Sequence, residues 1–333
     1  TRACQTLCDR IERGKVFLAR ADIAIAAKLK AAGINKEPVP IARIATYSQL
    51  RALNSVVKYN SFTDAAGALN VKIPSVQKAV RELELALGVE FFRKRGRSVE
   101  ATDLAKSIAL FSGLANTEFD YAQEELSELS GDRVNRLAIG SLPLGRSFLI
   151  PRAIGALLAD EPDVQISLHD SGYQEQLNEL RNGDLDMIFG ALRHPNSASD
   201  VTQKPLFLDA LSIIAGTHFA ALKKEELNFE ILAGFMWIVP PRQTPTRVQF
   251  EGFFLERIGR LPEQILECSS PVAAREMLLG GQRLSMMSKQ QVHRELTDGR
   301  LLNLLADIPG TEREIGLTIR KDWKPTRVRA AFI

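Results

Sequence analysis

The sequence predicts an α/β protein whose N-terminal third is helical. Three observations carry this. From residue 135 onward, short apolar strands alternate with amphipathic helices, the pattern of largely parallel sheets. Before residue 102, two short helices, a tight turn and a third helix lead into a basic hairpin-like stretch. One long amphipathic helix joins the two parts. The 333 residues suffice for two or three domains of roughly 100–200 residues each. With 45% apolar and 25% charged residues, the chain is neither disordered, collagen-like nor a disulfide scaffold. No run approaches the roughly 20 uncharged apolar residues of a membrane span. Even ADIAIAAKLKAAG contains Asp22, Lys28 and Lys30, and no signal peptide precedes it. Three cysteines form no disulfide framework, so a reducing cytoplasm is the expected compartment. The start at Thr1 and the stop inside RAAFI read as those of a fragment.

Residues 2–32 read as a helix, with Leu7, Ile11, Leu18, Ile25 and Leu29 near one face. Gly33, Pro38 and Pro40 then break it, and residues 33–45 read as a linker. Leu50, Leu53 and Val57 mark a helix over 46–59, ended by Asn60. Thr63 is placed to N-cap the next helix, through Leu69. Asn70 suits the left-handed turn, and Pro74 suits the first turn of a third helix. Val76, Val80, Leu83 and Leu87 are that helix's buried stripe, and Gly88 stops it. Ala65 and Ala66 allow close helix crossing. This is a helix-turn-helix, and VEFFRKRGRSVEAT, turning at Gly96, is its wing. A plain three-helix domain with a basic loop is the competing reading.

Thr102 N-caps a long helix to about Leu129. Its stripe of Leu104, Ile108, Phe111, Ala115, Phe119, Ala122, Leu126 and Leu129 suits a partner helix. The same stripe would also suit packing on its own domain. Charge follows these divisions: +5 over residues 1–45, +4 over 46–101 and −5 over 102–130, within a net +3. A basic module ahead of an acidic connector attracts polyanions, or is merely a solvated surface.

The alternating region begins with the strand RLAIG (136–140) and the helix FLIPRAIGALLAD. The strands VQISLHD (164–170), DMIFG (186–190) and LFLDALSIIAG (206–216) follow, with the helix YQEQLNELRNG between the first two. Further strands are MWIVP, QILECS, RLSMMS, LLNLL and EIGLTIR, and further helices are TRVQFEGFFLERIG, VAAREMLLGG and QQVHREL. No catalytic set emerges, so the chain reads as a non-enzyme. His169, His194, His218 and His293 form no metal-spaced pair. Cys4 and Cys8 lie one helical turn apart without a third ligand, so no metal and no cofactor is expected. GSLPLGRS (140–147) fits a phosphate-binding loop except that Arg146 replaces its lysine. No strand ending in a magnesium-binding Asp accompanies it. Ligands of open α/β sheets nevertheless sit at strand carboxyl ends, near free helix N–H groups.

SFTDAAGALNVKIPSVQKAVRELELALGVEFFRKRGRSVEAT (61–102) resembles the DNA-binding region of LysR-type transcriptional regulators. The matching positions are Ser61, Phe62, Ala65, Ala66, Pro74, Val76, Leu83, Glu84, Leu87, Gly88, Phe91, Phe92, Arg93 and Thr102. GDLDMIFGALR, PLFLDALSII, ECSS, RLSMMSKQQVHREL and GLTIRKDWKPT resemble the effector-binding domain in the expected order, so the likeness covers about 46–333. The chain departs from the family where Ile73 replaces the Gln before the recognition-helix Pro, and where Gln77 replaces a Ser. Residues 1–45 have no place in the usual plan. They resemble the linker-helix tail of a first tandem DNA-binding module, or are a helical extension.

The resemblance implies a winged helix-turn-helix over 46–101 and a dimerising linker helix over 102–130. It implies a two-lobed effector domain of periplasmic-binding-protein type over 135–333. Lobe one would take 135–208 and 312–333, and lobe two 212–308. The DNA-contacting set is Thr63, Lys72, Pro74, Ser75, Gln77, Lys78, Arg81, Arg93, Lys94, Arg95 and Arg97. Ile108, Phe111, Ala115, Ala122 and Leu126 would form the dimer seam. The effector, of unknown identity, would meet Ser141, Leu142, Arg193, Gln243, Thr244, Pro245 and Thr246, although Thr244 and Thr246 could only cap a helix. The implied partners are double-stranded DNA, a homodimer or homotetramer mate, the effector and RNA polymerase, with no membrane. A small-molecule binding protein that does not bind DNA is the alternative function.

Overall fold

The computed structural model describes residues 2–31, 33, 39–95, 98–131, 135–193, 198–221, 228–242 and 244–333, without the side chains of Arg2, Lys94, Arg95 and Ser98. The N-terminal part comprises α1 (Arg2–Ala31), α2 (Ile41–Ile44), α3 (Tyr47–Tyr59), α4 (Phe62–Leu69), α5 (Ile73–Leu87), β1 (Phe92–Arg95), β2 (Ser98–Ala101) and α6 (Asp103–Ser130). Asn70 takes the left-handed conformation expected of it, and so do Asn60, where the preceding helix ends as expected, and Gly88 after α5. Thr102 caps α6 by accepting from the Ala105 amide. The cap of α4 is Ser61, not Thr63: the Ser61 hydroxyl accepts from the Asp64 amide. Phe62 thereby enters the helix and meets Phe92 of the wing edge-on, with centroids 5.6 Å apart. Within the segment read as a linker, Ile41 opens a short helix, is fully buried, and donates its amide to Asp22 of α1.

The largest departure from expectation concerns α6. Its apolar stripe is covered by α1 of the same chain. Arg10 pairs with Glu118 and Glu125, while Gly14, four residues on, abuts Phe119 and Ala115. Advancing along α1 therefore means retreating along α6, and the two helices are antiparallel. Phe17, Leu18, Ala21, Ile25 and Leu29 share one core with Leu104, Ala105, Ile108, Ala115 and the helix-turn-helix residues Leu53, Ala65, Val76, Val80 and Leu83. Ile108, Ala115 and Ala122 are thus buried without a second copy. Phe111 and Leu126 are half-buried, and Phe111 packs against this core. The stripe expected to form a homodimer seam is, in this chain, covered from within. A heptad-like stripe demands an apolar cover, and α1 supplies it.

Lobe one follows, with β3 (Arg136–Ser141), α7 (Pro143–Arg146), α8 (Leu149–Asp160), β4 (Gln165–His169), α9 (Tyr173–Asn182), β5 (Met187–Ala191) and β6 (Val201–Asp209). Lobe two holds β7 (Leu211–Gly216), α10 (Phe229–Ala233), β8 (Met236–Val239), α11 (Pro245–Ile258), β9 (Ile265–Glu267), α12 (Pro271–Leu279), β10 (Arg283–Ser288), α13 (His293–Thr297) and β11 (Leu301–Leu305). The chain returns to lobe one through β12 (Arg313–Arg320) and α14 (Arg327–Ala331). One sheet has strand order β4-β3-β5-β12-β6, and the other β11-β7-β10-β8-β9. Parallel pairs β3–β4, β3–β5, β8–β9 and β8–β10 build the carboxyl ends that face each other, while β6, β7, β11 and β12 pair antiparallel. This is the two-lobed α/β class that the sequence predicts. The apolar run 206–216 is not one strand. It breaks at Ala210, with β6 in one sheet and β7 in the other.

Lobe one also grips α6. A side chain at Gly113 would strike the Asn182 carbonyl at the end of α9. The Tyr121 hydroxyl donates to Asp186 at 2.5 Å and accepts from Arg320 and Trp323. Arg329 of α14 pairs with Asp186 and with Glu124 of α6.

A charge at Ile108 would enter this intramolecular core. Ile108→Asp is expected to lower folding stability by about 3–5 kcal/mol, the cost of an unpaired buried charge. Urea unfolding followed by circular dichroism measures it. Unchanged stability, with only a change in oligomeric state, would restore the seam to a partner chain.

Candidate DNA interface and effector cleft

The helix-turn-helix stripe turns inward, so the opposite face of α5 is open. Lys72, Pro74, Ser75, Gln77, Lys78 and Arg81 are all exposed, as are Thr63 on α4 and Arg93 on β1. These residues line up because α5 advances by 3.6 residues per turn while Val76, Val80 and Leu83 hold it to the core. The amino end of α5 differs from its neighbours. Thr46, Ser61 and Thr102 cap α3, α4 and α6 through their hydroxyls, but Lys72 offers α5 no side-chain cap. No acid lies in the first turn of α5. Its positive end therefore faces outward, as suits a phosphate. Lys78 is paired at long range, 3.8 Å from Glu82. The wing pairs Phe92 with Ala101 and Arg93 with Glu100. Arg97 and the side chains of Lys94 and Arg95 lie outside the described residues.

The second site lies between the lobes, a cavity of about 420 Å³. Leu142, Pro143, Leu144, Arg146, Ser171, Tyr173 and Arg193 line it from lobe one. Thr244, Pro245, Thr246, Ser270, Met286 and Gln291 line it from lobe two, with Arg313 at the strand crossing. Leu142, Arg193, Thr244, Pro245 and Thr246, expected at an effector site, thus all line this cavity. Gln243 lies outside the described residues. Ser141 does not line the cavity: it is fully buried, and its hydroxyl points to the Leu142 carbonyl at 3.3 Å. The alternation of β3 turns Ser141 into lobe one and leaves Leu142 to face the cavity. Ser141 acts through its carbonyl, which accepts from Arg146 at 2.7 Å and from the buried Gln176.

The three arginines of the cleft differ in what they have left to offer. Arg146 spends its guanidinium on the carbonyls of Ser141, Asp170 and Ser171. Burial lowers its pKa, and the Asp170 charge opposes this. Arg313 pairs with Asp209 at 3.0 Å and donates to the Thr246 hydroxyl at 2.9 Å. It thereby ties the crossing strands to lobe two. Asp209 also accepts from the Ser288 hydroxyl at 2.6 Å. Arg193 stacks 4.7 Å over the Tyr173 ring, and its Nε is buried without a partner. Burial lowers its pKa, and the charge of Arg313 adds to the lowering. A second tie holds the lobes together outside the cavity: Phe148 and His293 lie 4.1 Å apart, tilted by 30°. Sequence reasoning missed Tyr173, Phe148, His293 and the hinge pair Asp209–Arg313. Only the position of Arg313 at the start of a crossing strand could have signalled the last. Thr244 does cap α11, by accepting from the Arg247 amide. Among the described residues, no three metal-ligating side chains converge. No helix among them is long and apolar enough to cross a membrane.

A winged reading head, joined by a long helix to a two-lobed cleft, defines a ligand-responsive regulator that binds DNA. The family descriptions agree. "Bacterial regulatory helix-turn-helix protein, lysR family" matches residues 47–106, and "LysR substrate binding domain" matches residues 130–333. The chain belongs to the LysR-type transcriptional regulators. It is 29% identical over 247 residues to the HTH-type transcriptional regulator GalR of Pseudomonas putida, a match covering 74% of this chain and 62% of GalR. The matched span is thus less than two thirds of GalR. Identity is 26% over 280 residues to the HTH-type transcriptional activator CmpR of Synechocystis, covering 84% of this chain and 88% of CmpR. Among solved structures, a full-length OxyR variant from Pseudomonas aeruginosa shares the fold with a TM-score of 0.61 and 23% identity, over 83% of this chain and 89% of that one. Full-length CbnR complexed with its target DNA shares it with a TM-score of 0.55 and 18% identity, over 86% and 97%.

Removing the hinge guanidinium would strand a buried carboxylate. Arg313→Met is expected to cost about 3–5 kcal/mol, because Asp209 keeps only its neutral Ser288 partner. Chemical denaturation of the full chain reads this. A cost under about 1 kcal/mol, the worth of a surface pair, would show that Asp209 finds water instead.

Proposed function

We propose that this regulator reads duplex DNA with the open face of α5 and the wing, and that a small anion held at Arg193 biases the two lobes toward one arrangement. The observation that supports the second part is the Arg193 guanidinium, half-buried in the cavity with no acid paired to it among the described residues. Burying a charge without a counter-ion is costly, and an anionic ligand removes that cost. The cavity is otherwise mostly apolar, with Thr244 and Ser270 at its polar rim, which suits a small organic acid. Such a ligand acts only through its differential affinity for the two lobe arrangements. The Asp209–Arg313 crossing is where those arrangements pivot in this reading.

Gln77 contacts a base edge, since a side-chain amide pairs bidentately with adenine. Arg93, Lys94, Arg95 and Arg97 contact phosphates, and Thr63, Lys72 and Ser75 flank them. The protein works in the cytoplasm, carries out no turnover and contacts RNA polymerase. Because α1 already covers the α6 stripe, self-association in this reading uses the effector domains rather than paired linker helices.

Gln77→Ala should weaken binding to the selected site by about 1–3 kcal/mol and relax one base position. Arg93→Ala should instead lower affinity for all sequences and reduce the salt slope by about 1. Fluorescence anisotropy against salt separates the two, and identical behaviour of both variants would refute the assignment. For the cleft, benzoate and benzamide make a matched pair of probes. Benzoate should raise the thermal midpoint at concentrations where benzamide does not, and Arg193→Gln should abolish the difference. Equal effects of the two probes on the parent protein would refute an anion at Arg193.

A further inference from the structure

We infer that Ile73, with Val71 beside it, reads thymine methyl groups at the edge of the bound DNA site; this rests on the DNA-binding reading above. Ile73 is the first residue of α5, and Val71 sits in the turn before it. They are 37% and 48% exposed, whereas the α5 stripe of Val76, Val80, Leu83 and Leu87 is 7% exposed or less. Neither belongs to the core that holds the module together. In the free protein, two branched aliphatic side chains therefore leave more than a third of their surface in water, and covering that remainder is favourable. They stand, moreover, inside the face that carries Lys72, Pro74, Ser75, Gln77 and Lys78.

The placement of Ile73 relative to Gln77 gives this meaning. The two are four residues apart on one helix, so they share a face one turn apart. One turn rises about 5.4 Å, against about 3.4 Å per base step, so their side chains reach neighbouring base pairs in one groove. The amide of Gln77 offers a donor and an acceptor, while Ile73 offers only apolar surface. In the major groove the apolar counterpart is the thymine C5 methyl, which the other three bases lack. Burying that methyl against Ile73 removes apolar surface of both partners from water, without leaving a polar group unpaired. An adenine or guanine edge in its place would lose a hydrogen bond to water and gain none. Ile73 thus both favours thymine and penalises purines at one position.

Uracil tests this, since it is thymine without the methyl group. The full chain selects duplexes from a random-sequence pool, and the best one is resynthesised with its thymines replaced by uracil one at a time. For the parent protein, one or two replacements should weaken binding about three- to fivefold, the worth of one buried methyl. Ile73→Ala should weaken binding to the thymine duplex by a similar factor and lose its sensitivity at those same positions. Gln77→Ala should bind more weakly yet keep that sensitivity. Parent binding that ignores every uracil replacement, or Ile73→Ala that remains as sensitive as the parent, overturns the inference while leaving DNA binding intact. A pool that yields no selected duplex overturns the DNA-binding reading and this inference together.

Discussion

The antiparallel pairing of α1 with α6, and the buried charges that lock it, are the constraint on which the rest of the structure depends. Arg10 is 6% exposed, and it donates to Glu118, Glu125 and the Lys324 carbonyl. Burial is the largest single influence on its pKa and lowers it, but the Glu118 and Glu125 carboxylates together outweigh burial, and the pKa is raised. Beside it, Tyr121 lies under the guanidiniums of Arg10 and Arg329 and donates to Asp186. Burial pushes the Glu124 carboxyl above its usual range, although Arg329 works against this. Such a network adds little net stability over apolar packing, because desolvation consumes most of the Coulomb gain. What it does is exclude other arrangements. A slide of one helical turn would leave several charges buried without partners, and each would cost more than an apolar mismatch.

That exclusion sets how the two functional regions communicate. The first half of α6 belongs to the core of the reading head, through Leu104, Ala105, Ile108 and Ala115. Its second half is bound to lobe one through Tyr121 and Glu124. A helix fixed at both ends is a rigid lever. The same helix thus belongs to the packing of the reading head and of lobe one alike. Lobe two has no such attachment to α6 among the interactions described. It meets lobe one at the two strand crossings, at the Phe148–His293 stack, and where α7 packs against the turn Lys289–Val292.

Much of this was legible in the sequence, because the signals were local. Asn70, Pro74 and Gly88 carry local backbone preferences and Thr102 a capping hydroxyl, and each holds the place its chemistry suits. The misreadings arose where two local solutions were equally good or where the deciding contact was distant. Ser61 and Thr63 can both cap a helix, and the packing of Phe62 on Phe92, thirty residues on, goes with the choice of Ser61. The run 206–216 is apolar apart from Asp209 and Ser212, so its pattern alone reads as one strand; the charge beside Ala210 is its single local sign of the change of sheet. Ser141 follows a glycine and precedes a helix, which is also how a ligand-binding serine reads. Only the pleat of β3 decides that Leu142, and not Ser141, faces the cavity.

The α6 stripe shows the limit of pattern reading most clearly. A repeat of Leu104, Ile108, Phe111, Ala115 and Ala122 states that one face must be covered, but says nothing of the origin of the cover. The information lay instead in α1, whose own stripe of Leu18, Ile25 and Leu29 needed the same service. Two unsatisfied helices of nearly equal length in one chain have a high effective concentration for each other, which a second molecule must exceed to compete. Gly14, where a side chain would press on Phe119, and the Arg10–Glu118–Glu125 cluster then fix the register of the pair. Apolar periodicity says that a helix pairs. Charges and a glycine at matched depths say with which helix, and here they lie within the same chain.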